Sequence, residues 1–195
     1  ADPVVLENPY VRLESLDASH SPGLDIASQG LEYAWYTSVP AAASIEIEHR
    51  LAEHAAGRMN PFAVVAGGRP VGMTTLCNID QPNRRTELGY TWLSPTVQRT
   101  AVNTAAKLLL LGHAFETCDA IAVELRTHWH NRQSRAAIER LGAKQDGVLR
   151  NHRFGPDGTL RDTVVYSVLP HEWPTVKRGL EERLVIEHDL ALMTA

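Results

Sequence analysis

Hydrophobic and polar positions alternate along this chain with two periods, and the switches between them mark out its elements. Val11 and Leu13 against Arg12 and Glu14 give a period of two over residues 10–16, a half-buried strand. Asp17 or Ser19 is placed to cap a short helix near 20–28, although Pro22 and Gly23 weaken that reading. Ile47, Leu51 and Ala55 recur at helical spacing behind Ser44, a good N-cap, and Gly57 or Asn60 would close that helix. Residues 62–66 and 70–76 are apolar runs flanking Gly67-Gly68-Arg69, a hairpin whose glycines supply the turn. Asp80-Gln81-Pro82-Asn83 then turns the chain into residues 87–93, a strand rich in aromatic and apolar side chains. These three strands form a meander.

The stretch from 87 to 131 organises the rest. Ser94-Pro95-Thr96 stops the strand, and residues 98–104 lead into a helix body at 105–111 that ends near Glu116. Residues 121–125 are the next strand, with Ile121, Val123 and Leu125 on one face. Strand, helix and strand at this length imply a right-handed crossover between parallel strands. The turn at 98–103 then lies at the first strand's carboxyl end, where the helix offers free N–H groups: an anion site suited to a pyrophosphate. Asn131 caps a helix over 132–141 that Gly142 ends, and Ser134, Ala137, Ile138 and Leu141 share one face, so Ser134 is expected to face the sheet. Residues 144–154 and 160–169 are strands around Gly155-Pro156-Asp157-Gly158, and a helix follows over 172–184 with Pro174 in its first turn. The expected class is α+β, a mixed, mostly antiparallel sheet with a parallel pair at its middle. It is read as one domain over 1–195, with a core of about 10–170 and a helical extension of about 171–190.

Composition narrows the function. The 195 residues are 44% hydrophobic and 22% charged, with a net charge of −4, ordinary for a globular protein. An acidic balance argues against nonspecific nucleic-acid binding, and no run nears the roughly 18 apolar residues of a membrane span. The amino end lacks a signal-peptide pattern. Ala1-Asp2 reads as a remnant of processing or expression. Cys77 and Cys118 form no ligand spacing and read as reduced thiols of a cytoplasmic protein. Tyr33, Trp35 and Tyr36 cluster in an irregular stretch that either lines a substrate pocket or packs under its own loop. His128 and His130 flank Trp129 without a third ligand in view, so no metal is expected.

The order of elements, with Asn131-Arg132-Gln133-Ser134 running into Leu141-Gly142-Ala143, then Gly147-Val148-Leu149-Arg150, Asp157-Gly158, Arg161-Asp162 and Val165-Tyr166-Ser167, resembles the GNAT N-acetyltransferase superfamily, RimJ/RimL-like branch. The resemblance covers nearly the whole chain, from about residue 10 to 184. It implies an acetyl-CoA-dependent N-acetyltransferase that transfers directly to a primary amine, a protein amino terminus or a small amine. The departure is in the anion turn. Gln98 fits the family pattern, but Ala101 stands at its first Gly and Asn103 at its second small position. A methyl at Ala101 is tolerated if its φ is negative, the Asn103 amide could donate to a phosphate oxygen, and Arg99 adds charge.

On that resemblance the coenzyme lies against Trp92 and Leu93 and against the turn of Gln98, Arg99, Thr100, Ala101, Val102, Asn103 and Thr104. Asn131 holds the pantetheine, and Ser134 donates to the departing thiolate. Glu87 is the candidate base, the alternative being a strand-end carboxylate paired with Arg84 or Arg85. The position of the tyrosine acid found in many members is taken by Ile138. Tyr33, Trp35 and Tyr166 are candidate acceptor contacts, with Asp162 nearby and core packing an equal alternative for Tyr166. Lys107 either reaches the adenosine phosphate or is solvated. Absence of a motif cysteine disfavours an acyl-enzyme. The competing function is an acyl-CoA-binding or regulatory protein with little turnover. The acceptor is not specified, and oligomeric state stays open, a homodimer included.

Overall fold

Alternation of apolar side chains builds two strands first, β1 (Val5–Glu7) and β2 (Arg12–Ser15), paired antiparallel. The computed structural model describes residues 4–32, 35 and 42–194, with side chains as far as 187. Two helices follow, α1 (Ser21–Ala27) and α2 (Ala43–Ala55), and then β3 (Met59–Ala66), β4 (Arg69–Asp80) and β5 (Arg85–Leu93) continue the antiparallel meander. Gly67 and Gly68, at φ 56° and 73°, make the tight β3–β4 turn. Helix α3 (Ala101–Gly112) carries the chain to β6 (Ala122–His128), which lies parallel to β5. Helix α4 (Arg132–Leu141), the hairpin β7 (Lys144–Phe154) and β8 (Leu160–Val168), and helix α5 (Trp173–Thr194) complete the fold. The strand order is β1-β2-β3-β4-β5-β6-β8-β7, so the parallel pair sits inside the sheet as expected.

Period-two alternation sorts the side chains onto two faces. Phe62, Val64, Leu76, Leu88, Val123 and Leu125 meet Leu110 and Leu111 of α3, Ile138 and Leu141 of α4, and Leu180 of α5. On the other face Ala63, Met73 and Trp92 meet Leu24 of α1 and Ile47 of α2.

The structure corrects several expected boundaries. The N-cap of α2 is Ala42 rather than Ser44, and Asp25 of α1 accepts the Ala43 N–H at 2.8 Å in its place. Asn60 belongs to β3, and Gly57 at φ 73° follows α2. Ile121 precedes β6 and is 43% exposed, so the inward face of that strand is Val123, Leu125 and Thr127. Helix α3 starts at Ala101 and passes into a π turn over His113–Thr117, and α5 runs on to Thr194.

Candidate active site

The site begins with a failure of pairing. β5 and β6 are in register only at Arg85–Ala122, Thr86–Val123 and Glu87–Glu124. Farther along, β5 stays tied to β4 and β6 stays tied to β8, so the two strands part. A cleft of about 650 Å³ opens between them, with residues 89–93 on one wall and Leu125, Arg126 and Thr127 on the other. A bulge aims the β5 wall. Met73 faces Trp92 while Thr75 faces Gly89, so β5 carries one extra residue there, and Tyr90 takes a φ of 49°. At the end of the seam β4 and β5 approach closely: a Cβ on Gly72 would lie 2.2 Å from the Trp92 carbonyl oxygen. The side chains of Trp92 and Leu93 are buried on opposite faces of the sheet, which leaves their backbone to the cleft.

At the far end of β5 the chain turns into α3. Gln98 donates from Nε2 to the Leu93 carbonyl at 3.0 Å, tying the turn to the strand. The Thr100 hydroxyl caps α3, accepting the Val102 N–H at 3.4 Å and donating to the Val97 carbonyl at 2.7 Å. The left-handed residue of the turn is Arg99, at φ 62°; Ala101 has no such conformation, so its methyl is not strained. Gln98 and Asn103 line the cleft. Val102 is buried in the core with its N–H already given to Thr100, and Thr104 turns to Glu187 at 3.5 Å, so neither side chain faces the cleft.

Where the strands separate stands Glu87. Its side chain is 12% exposed and lies 3.4 Å from the Arg126 guanidinium. It also accepts from Asn78 Nδ2 at 2.7 Å. Burial pushes its carboxyl above the usual range, with Arg126 and Asn78 pulling it back. Neither Arg84 nor Arg85 pairs with it, since Arg84 pairs with Asp119 and Arg85 with Glu124 at 2.5 Å. Across the cleft Asn131 caps α4, accepting the Ser134 N–H at 3.0 Å, and both residues line the cleft beside buried Ile138. Lys107 is not a solvated lysine: its Nζ donates to the Thr91 hydroxyl at 3.0 Å in the cleft wall, and burial pushes its pKa down to about 7.

Other candidates lie apart. Tyr166 is fully buried on the α4 side, donating to Glu139 at 2.9 Å and accepting from Arg135 at 3.2 Å, and does not reach the cleft. Asp162 pairs with Arg150 at 2.5 Å on the β7–β8 ribbon. Tyr33 and Tyr36 lie outside the described residues. Trp35 does line the cleft, its ring 4.8 Å from that of His128 and 6.1 Å from that of His130. Among the described residues no three His, Cys, Asp or Glu side chains are grouped to hold a metal, and no helix is long and apolar enough to cross a membrane. Sequence reasoning missed Asn78, Arg126 and Arg161. The signal for Arg126 was the alternation of Glu124 and Arg126 with Val123 and Leu125, which puts both charges on the face that Glu87 uses.

Residues 11–144 match the Acetyltransferase (GNAT) domain family. A Bacillus subtilis (strain 168) protein, provisionally named ribosomal N-acetyltransferase YdaF, is 36% identical over 106 residues. That match covers 54% of this chain and 57% of YdaF, so the chain spans little more than half the length of this curated relative. A GCN5-related N-acetyltransferase from Brucella melitensis is 31% identical, with a TM-score of 0.84 over 94% of this chain and 86% of that one. Mycobacterium smegmatis RimJ, solved in complex with CoA-disulfide, shares the fold at 23% identity, with a TM-score of 0.75 over 93% of each chain. With its central parallel pair parting into a cleft and a family match across most of its length, the chain belongs to the GNAT family of acetyltransferases.

Proposed function

We propose that the protein moves an acetyl group from acetyl-CoA directly to a primary amine, a protein amino terminus or a small amine. The observation that carries this reading is the wedge between β5 and β6, with the N–H end of α3 at one mouth and Glu87 where the strands separate. The residues present fit the coenzyme. The first N–H groups of α3 and the Asn103 amide suit a diphosphate, and the β5 edge that pairs with no strand among the described residues suits the amides of a pantetheine. Bound there, acetyl-CoA supplies the activated acyl carbonyl. Glu87 then takes the proton that the amine gives up, directly or through water, a task its raised pKa suits. Backbone N–H groups of residues 89–93 polarise the carbonyl oxygen, and the Ser134 hydroxyl donates to the departing sulfur. The name of YdaF points to a ribosomal-protein amino terminus as the acceptor, which would place the reaction in the cytoplasm.

A second reading, a CoA-binding protein with little turnover, draws support from Ile138, which leaves no phenol on the α4 wall. Release of free CoA thiol across a panel of peptides and amines, beside calorimetric CoA binding, separates the two. Turnover on at least one acceptor is expected. Tight CoA binding with no thiol release on any acceptor overturns the catalytic reading.

A further inference from the structure

The face of the sheet that carries Glu87 holds more positive charge than its carboxylates balance. Arg126, Arg153 and Arg161 all line the cleft there. Arg126 is accounted for, 3.4 Å from Glu87 and 2.7 Å from Glu124. Arg161 is not. It is only 8% exposed, and its Nη1 donates to the Trp35 carbonyl at 3.2 Å. Its Nε is shut away from water and has no acceptor among the described residues. Arg153 stands directly opposite it in the β7–β8 ladder. Neither arginine has an ion-pair partner among the described residues. A buried donor left unmade is costly, and more so when it carries charge. Burial and the neighbouring Arg153 both hold the Arg161 guanidinium below its usual pKa, with Glu87 opposing them.

With Nη1 occupied and Nε closed off, Nη2 is the donor that Arg161 leaves open to the cleft, and a carboxylate there takes a charge-assisted hydrogen bond. We propose that Arg161, assisted by Arg153, is an anion subsite for the acceptor, so that the protein acetylates amines that also carry a carboxylate. This rests on the acetyl-transfer reading and names its acceptor class. Glu87 receives the amine end, and the arginine pair receives the acid end, a polarity that a neutral or polycationic amine does not match. Glu87 and Glu124 on the same face oppose a more heavily charged phosphate and favour a single carboxylate. Two sources share this chemistry: the α-carboxylate of a free amino acid, and an acidic side chain in the first residues of a peptide.

Two matched pairs of acceptors test the proposal. One is a C-terminally amidated peptide beginning Ser-Glu beside its Ser-Gln twin, and the other is alanine beside alaninamide. For each, kcat/KM comes from CoA thiol release, and Kd from calorimetry on the CoA-loaded protein. The carboxylate member of one pair is expected to be preferred by roughly tenfold or more, because its twin leaves a buried guanidinium unpaired. The pair that responds identifies the source. Arg161→Gln is expected to bring that ratio close to one, and Arg161→Lys to keep part of it. Should Arg161→Gln fail to fold, Arg153→Gln at the exposed neighbour is expected to lower the ratio. Equal kcat/KM and equal Kd within both pairs overturn the subsite, as does an unchanged ratio in the folded variants. A protein that binds CoA and releases no thiol fails as an acetyltransferase, and the Kd comparison still decides the subsite.

Discussion

At Glu87 burial and charge oppose each other. A carboxylate that is 12% exposed beside one guanidinium resists ionising, and its pKa rises above the usual range. As the base it is active only when deprotonated, so kcat/KM is expected to fall on the acid side at a pH above the ordinary carboxylate range. Glu87→Gln should lower kcat/KM by roughly a hundredfold or more and remove that acid limb. A raised folded-state pKa in an acid is favourable to folding below the unfolded value, and that contribution is lost as pH rises through the folded value. Glu87→Gln should therefore melt higher than the wild type at neutral pH. Full turnover in the variant would mean that another group is the base. Ser134→Ala should lower kcat with little change in CoA affinity, while Asn131→Ala should weaken CoA binding by calorimetry. Equal turnover removes Ser134 as the proton donor, and unchanged affinity in a folded Asn131 variant removes its role. The positions of Asn131 at the cap of α4 and of Ser134 in the cleft wall were legible in their motif. The surroundings of Glu87 were not, since Asn78 and Arg126 reach it only through the β4–β5 and β5–β6 registers.

Two elements, β5 and α3, shape the cleft, and each can be disturbed on its own. Gly72→Ala sets a methyl against the Trp92 carbonyl and forces the end of β5 away from β4. The variant should lose about 1–3 kcal/mol of stability, as overpacking does, and bind CoA more weakly. Normal melting and normal affinity would show that the seam does not fix the β5 wall. On α3, Lys107 has its pKa pushed down to about 7 by burial. Holding that charge opposes folding increasingly as pH falls from the range of a free lysine to about 7, and by a constant amount below it. Lys107→Met should therefore melt higher than the wild type at pH 7, with the gap closing toward pH ~10. A gap that does not change with pH contradicts this account. The ends of α4 could be read directly, because Asn131 and Gly142 act within their own helix. The start of α2 could not, because Asp25 comes from another helix to accept the Ala43 N–H.

For the molecule as a whole, local pattern predicts strands and the central parallel crossover but not the full strand order. A hairpin of β7 and β8 can dock by either strand, and only the packed sheet shows β8 beside β6 with β7 at the edge. The cleft is likewise a property of the assembled sheet, since nothing local in residues 88–93 says that β6 will leave them. Contacts such as Arg161 to Trp35, 126 positions apart, are beyond any motif. The central claim is that this wedge holds coenzyme A, and diffraction from crystals grown with CoA tests it most directly. The diphosphate is expected within hydrogen-bonding reach of the first N–H groups of α3, and the pantetheine along residues 89–93. Coenzyme lodged elsewhere, or that edge of β5 blocked by the chain itself, would contradict the account.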